Sequence, residues 1–173
     1  MPQANRLSLP TAPVKKQIES KAEWNEFRSP KDAHFFTFGY SGRKTEEILE
    51  LLKQHGVRTL LDVRLNAVSM YRPEFSKKNL AQLMDANGMA YEHAPALGVP
   101  RDIRTKAIET GTREVIWDWY DANLLESGLD LDRFLEEFEQ PVALMCTELD
   151  PHECHRHRLS LALENLGLNG FDL

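Results

Sequence analysis

Residues 34–63 read HFFTFGYSGRKTEEILELLKQHGVRTLLDV, and the order of patterns in this stretch decides the fold. His34 to Phe38 is a short run of aromatic and β-branched residues that ends at Gly39, as a buried strand does. Thr45 can cap the helix that follows, with Glu46 and Glu47 in its positive first turn. Ile48, Leu49, Leu51 and Leu52 form its apolar face, and Gly56 ends it. Val57 to Val63 then gives a second strand. Strand, helix and strand in succession favour a parallel pair joined by a right-handed crossover. Ligands gather at the carboxyl ends of such strands.

Working outward, the loop Arg64 to Ser76 carries Asn66, Tyr71, Arg72 and Pro73. It leads into a helix with Leu80, Leu83 and Met84 on one side and Asn87-Gly88 at its end, followed by a third strand from Met89 to His93. Pro95 to Thr112 reads as loop, with a short helix around Ile103 to Ile108. Val115, Ile116, Trp119, Tyr120 and Leu124 recur at helical spacing, as do Leu131, Phe134, Leu135 and Phe138, giving two amphipathic helices separated by Gly128. Val142 to Met145 is a continuous apolar run after Pro141, the pattern of a strand covered on both faces, and Cys146 stands at its carboxyl end. Asn169 to Leu173 forms a last short strand. On the amino-terminal side, residues 1–33 are polar, hold four prolines and keep no period, so they read as a tail that adds little to the core. Within it Lys16 to Phe27 forms a short helix carrying Trp24 and Phe27. The expected architecture is a single α/β domain over residues 34–173, with three layers and a mainly parallel sheet flanked by helices.

Composition narrows the function classes. A chain of 173 residues with 42% hydrophobic and 28% charged residues has the balance of one globular domain. No apolar run is long enough to span a bilayer, so no membrane partner is expected. The amino-terminus lacks the basic-then-apolar pattern of a secretory signal, which points to the cytoplasm. In that reducing setting the two cysteines, Cys146 and Cys154, read as a reactive or metal-ligating pair or as two buried small side chains rather than a structural disulfide. A formal net charge of −6 repels a phosphate backbone, so any nucleic-acid contact must use a local patch. His155-Arg156-His157-Arg158 is the densest positive cluster, and Arg101, Arg104 and Lys106 make a weaker second one.

The chemistry concentrates after the fourth strand. Asp150-Pro151-His152-Glu153 reads as an N-cap, a proline at the first helical position and an acidic third position, so a helix is expected to begin at Pro151. His155, Leu159, Ala162 and Leu166 then share one face, which turns His155 toward the sheet. Cys154 falls in the first turns, where the helix terminus, His155 and Arg156 favour its thiolate. Cys146, at the end of a buried strand, is expected to keep the higher thiol pKa, and Cys154 to alkylate first. Two other strand ends, Asp62-Val63-Arg64 and Glu92-His93, point to the same rim. Asp62, Arg64, His93, Glu148, Cys154, His155 and Arg156 are therefore expected around one pocket. The bland reading makes each of these a cap, an ion pair or a packed core histidine.

The segments Thr37-Phe38-Gly39-Tyr40-Ser41, Leu61-Asp62-Val63-Arg64, Tyr91-Glu92-His93-Ala94-Pro95-Ala96-Leu97-Gly98 and Cys146-Thr147-Glu148 to Cys154-His155-Arg156 resemble, in order and spacing, the DUF488 family of uncharacterised proteins. The resemblance runs over about residues 35–173. The family usually has Gly-His-Ser where this chain has Gly39-Tyr40-Ser41. A fainter similarity is to the rhodanese and cysteine-phosphatase group, in which a strand ends in a catalytic cysteine and an anion-cradling loop closed by arginine. Here the corresponding loop, Cys146 to Arg156, is longer and lacks glycine. Three readings follow. In the leading one an enzyme, a hydrolase or transferase, binds a small anionic or nucleotide-like substrate through Arg64 and Arg156, with Asp62, Tyr40, Ser41, Tyr71 and His93 as further binding candidates. Glu148 and His155 are its acid/base candidates, and Cys146 or Cys154 its nucleophile. The second is a metal-binding or redox-sensing protein using Cys146, Cys154, His155 and His93. The third is a nucleic-acid-processing module with Tyr40, Tyr71 and Arg72 as stacking groups. The sequence names no cofactor.

Overall fold

The structure, a computed structural model, describes residue 25 and residues 28–173 with the exception of residue 128. The helix expected from Lys16 to Phe27 and the separator Gly128 lie, apart from Asn25, outside the described residues.

The described residues form a five-stranded sheet of β1 (Phe35–Gly39), β2 (Thr59–Asp62), β3 (Ala90–His93), β4 (Val142–Cys146) and β5 (Gly170–Asp172), in the order β3-β2-β4-β1-β5. Every pairing is parallel, as the expected crossovers require. The helices are α1 (Thr45–Gln54), α2 (Lys77–Asp85), α3 (Arg101–Thr110), α4 (Glu114–Glu126), the single turn α5 (Leu131–Phe134) and α6 (His155–Asn165). This is an α/β fold in three layers. Side chains alternate across a strand, and the two core clusters follow that parity. Phe36, Phe38, Leu60, Ala143 and Met145 pack with Ile48 and Leu52 of α1 and Leu80 and Met84 of α2. Phe35, Leu61, Val142, Leu144 and Cys146 face the opposite layer, with Ala107 of α3, Ile116 and Tyr120 of α4, and Leu159 and Leu163 of α6.

Local details differ from the sequence expectation where backbone geometry overrides composition. Lys44, not Thr45, is the N-cap of α1, and the Glu47 carboxylate accepts from the Lys44 N–H at 2.8 Å. The stretch expected to be mostly loop holds a full helix, α3, closed by Gly111 at φ +69°. A single glycine at the left-handed position is enough to end it. The second amphipathic segment after Asp130 is only a turn of α-helix followed by a 3₁₀ turn from Leu135 to Glu137. Pro151 does not begin the last helix. Pro151–Glu153 is a separate 3₁₀ turn capped by Asp150, and α6 starts at His155 with Cys154 as its N-cap in extended conformation.

The order of strands sets the position of the site. β4 lies at the centre, so Cys146 ends between the β2 exit and the β1 exit, and Gly39 stands beside it in register. The chain leaving β1 stays close to the loop after β4: Tyr40 N–H donates to the Cys146 carbonyl at 3.2 Å and Ser41 N–H to the Thr147 carbonyl at 2.9 Å. A Cβ on Gly39 would sit inside the Glu148 carbonyl, so this approach requires glycine.

Candidate active-site cavity

Cys146 is the third residue of β4 on the face that meets α6, and this parity aims its sulfur at the amino-terminus of that helix. His155, the first residue of α6, lays its ring against Tyr120 with centroids 5.2 Å apart. Its Nε2 lies 3.0 Å from the Val63 carbonyl, where only a donor is accommodated, so Nε2 carries the ring proton in the neutral state. Nδ1 then presents a lone pair toward two sulfurs, Cys146 Sγ at 3.8 Å and Cys154 Sγ at 4.0 Å. Cys146 Sγ also donates to Glu148 Oε2 at 3.3 Å, and the Arg156 N–H donates to Cys154 Sγ at 3.5 Å.

The charges follow from this packing. Burial opposes a thiolate at Cys154, but the neighbouring Cys146 thiol and the nearby His155 and Arg156 charges outweigh it and hold its pKa well below the ordinary thiol value. Cys146, beside the Cys154 thiolate and itself desolvated, is pushed up. Burial pushes the Glu148 carboxyl up, and a Cys154 thiolate adds to the effect. His155 is desolvated as well, yet Cys154 stabilises its charged form and its pKa rises.

These groups open onto a cavity of about 450 Å³, lined on one side by Cys146, Thr147, Glu148, Glu153 and His155 and on the other by α3, α4 and the loop between them. Arg104, Ile108, Arg113, Ile116 and Trp117 supply much of that second wall, with Arg64, Leu65 and Asn66 at the end of β2. The volume falls within the range of small-ligand pockets. Gly98 closes against Leu65, where a Cβ would meet the Leu65 backbone.

Of the residues singled out from sequence, Arg64, Cys146, Glu148 and His155 line this cavity. Others stand behind them. Asp62 is fully buried and accepts from Arg64 Nε at 2.8 Å, from the Arg64 terminal nitrogen at 2.6 Å and from the Tyr91 hydroxyl at 2.6 Å. Burial disfavours the Arg64 guanidinium charge, and Asp62 more than restores it, keeping its pKa above the usual arginine value. Tyr40 stacks on Phe75 at 4.3 Å and donates no wall; its hydroxyl accepts from Arg64 at 3.2 Å. His93 Nε2 sits 2.8 Å from the Arg64 carbonyl. Cys154, 1% exposed, lies behind His155.

Arg156 occupies a place the sequence does not reveal. It is 0% exposed, straps the loop after β4 through the carbonyls of Glu148 and Leu149, and pairs with Asp172 at 3.3 Å. It holds the loop rather than lining the cavity. Ser41 is bound to that same loop through its N–H, and Tyr71 is 99% exposed; neither contributes to the cavity wall. Arg113 was invisible as a site residue because its role depends on the packing of α4 against the loop, where it donates to the Glu153 carbonyl. Arg104 was visible only as a member of a short basic cluster.

Two parallel strand ends, those of β2 and β4, and one helix start thus define an α/β protein with a thiol, imidazole and carboxylate cluster at the carboxyl edge of its sheet. The chain belongs to the DUF488 family: the family described as "Domain of unknown function DUF488" matches residues 44–163, which take in the Leu61 to Arg64, Tyr91 to Gly98 and Cys146 to Arg156 segments. No curated protein and no solved structure matches the chain, and the fainter rhodanese and phosphatase likeness finds no support there. Among the described residues no helix is long and apolar enough to cross a membrane.

Proposed function

We propose that the cavity is the substrate site of an enzyme acting on a small anionic, nucleotide-like molecule. The observation that carries this reading is the sharing of one cavity by the Cys146, Glu148 and His155 cluster and the exposed arginines Arg104 and Arg113. In a chain of net charge −6, Arg104 and Arg113 gather two guanidinium groups on the wall facing Glu148, Glu153 and the sulfur–imidazole pair, a local cationic patch that the overall charge does not suggest. The arginines suit the oxyanion of a phosphate or carboxylate, since a guanidinium offers a planar fork of donors. Ile108, Ile116 and Trp117 offer an apolar wall for a ring or base. Arg64 shapes the floor while its guanidinium is held by Asp62, Tyr40 and the Phe75 carbonyl. Glu148, on the cavity wall and within hydrogen-bond reach of Cys146, is the proton-exchanging group at the reacting centre.

Calorimetric titration with inorganic phosphate and with nucleoside monophosphates tests the reading. One saturable site per chain is expected, with an Arg104→Ala/Arg113→Ala double variant weakened roughly tenfold or more. Binding that is absent at millimolar ligand, or unchanged in the double variant, overturns it. In a turnover screen over phosphoesters and nucleotides, Glu148→Gln is expected to lose activity while retaining ligand binding.

A further inference from the structure

The sulfur–imidazole cluster contains more than acid/base chemistry needs, because a second sulfur that does not reach the cavity completes it. Cys146 Sγ, Cys154 Sγ and His155 Nδ1 all lie within 4.8 Å of one another. We infer that these three atoms bind one zinc-type divalent cation and leave its fourth position open to the cavity beside Glu148.

The spacing fits. Tetrahedral zinc with ordinary Zn–S and Zn–N bonds needs a sulfur-to-nitrogen separation of about 3.6 Å and a sulfur-to-sulfur separation of about 3.8 Å. The two sulfur-to-nitrogen distances are 3.8 and 4.0 Å, and the sulfurs lie within 4.8 Å of each other, so a contraction of a few tenths of an ångström at the nitrogen and of at most about 1 Å between the sulfurs closes the site. Two thiolates and an imidazole are the donor set that favours zinc over the oxygen-seeking cations.

The groups around the donors are those a metal requires. A ligating histidine gives its other ring N–H to a carbonyl or carboxylate, which fixes the tautomer, and His155 Nε2 does so toward Val63. Cys154 Sγ accepts the Arg156 N–H, a bond that strengthens when the sulfur is anionic. Arg156 and Asp172 beneath the loop form a buried pair of zero net charge, so two thiolates and a dication leave the interior near neutrality. The local fold makes the cluster possible: the 3₁₀ turn Pro151–Glu153 delays α6, and its N-cap and first residue bring Cys154 and His155 together opposite the end of β4.

Cys146 and His155 both line the cavity, so the remaining coordination position faces it. Three protein donors and one open position are the arrangement of a catalytic rather than a structural zinc site. Glu148 is not one of the three clustered donors, but its carboxylate lies against Cys146 on the cavity wall. Water bound at the open position passes a proton to the Glu148 carboxylate and remains on the metal as hydroxide. This last step rests on the cavity being a reaction site; the metal site itself rests on the donor set.

The experiment uses the full chain, stripped with a chelator and titrated with Co²⁺ alone. One equivalent is expected to produce thiolate-to-cobalt charge-transfer absorption, bleached stoichiometrically by Zn²⁺. Cys154→Ser, which leaves the cavity-lining residues in place, is expected to weaken binding by more than about a hundredfold. Glu148→Gln is expected to keep the one-to-one stoichiometry. Absence of charge-transfer absorption in the unaltered chain overturns the inference without reference to any variant. Full affinity in folded Cys154→Ser, or loss of binding in Glu148→Gln, overturns the assignment of donors. Because no anionic ligand is present, these outcomes are separate from success or failure of anion binding at Arg104 and Arg113.

Discussion

Asp62 shows how much one buried residue can hold in place. At 0% exposure, its carboxylate accepts the Arg64 N–H at 3.1 Å, two guanidinium nitrogens and the Tyr91 hydroxyl. Burial and this hydrogen bond push the Tyr91 pKa far up, which keeps the phenol a donor. Arg64 in turn reaches the Phe75 carbonyl, so the loop between β2 and α2 is tied to the end of the strand. Asp62→Asn removes the charge that compensates a 6% exposed guanidinium. Leaving one partner of such a pair unopposed costs about 3–5 kcal/mol. A drop of that size in urea-denaturation stability is expected, and an unchanged midpoint would show that Arg64 finds another counter-charge.

At the scale of elements, the site depends on how closely β1 and the loop after β4 approach. Gly39 ends β1 in register with Cys146, and a side chain there collides with the backbone of Glu148, not with the end of a flexible side chain. Gly39→Ala must displace the loop that Arg156 straps from below. Such overpacking costs about 1–3 kcal/mol or more. The variant is expected to melt at lower temperature and, where folded, to bind phosphate more weakly than the unaltered chain. Normal melting with normal ligand binding would mean that the loop position does not set the cavity. α6 carries a related lesson. Asp150 and Pro151 supply real N-terminal signals, but they serve a 3₁₀ turn, and the helix expected from Pro151 starts four residues later at His155.

Across the whole molecule, the two ends of the described chain meet. Arg28 pairs with Glu164 of α6 through two nitrogens, at 3.1 and 3.0 Å, and Asn25 exchanges hydrogen bonds with the backbone of Asp172 in β5. The side chains of the Arg28 and Glu164 pair are 19% and 16% exposed, so solvent screens it only in part. Arg28→Ala is therefore expected to cost about 1 kcal/mol, measurable by denaturant unfolding, and a Glu164→Ala variant should add little to it. Additive losses would show that the two residues act separately. The contact places part of the segment expected to be a tail against the carboxyl-terminal strand and helix, beyond what its lack of periodicity suggests.

The succession of strands and helices, the parallel sheet and the carboxyl-edge location of Cys146, Glu148 and His155 were legible in the sequence, because each rests on short-range patterns: apolar runs, helical spacing, and residues that end strands. Helix α3 was legible only in part, since few apolar residues mark its buried face and Ala107 is its one buried residue. What the linear pattern could not contain is which atoms meet across elements. Both cysteines were candidates, and only strand parity and the packing of α6 make Cys146 the cavity-lining sulfur and Cys154 the hidden one. Arg156 looked like an anion binder beside the motif, yet its side chain turns inward because the loop carbonyls and Asp172 are buried and need a donor. Arg104 and Arg113 face the cluster because α3 and the start of α4 close over it. The sequence by itself determined the elements and the edge of the sheet where chemistry collects, through local propensity and periodicity. Only the tertiary structure decided which side chains share the cavity, because that depends on burial and on hydrogen bonds between residues far apart in the chain.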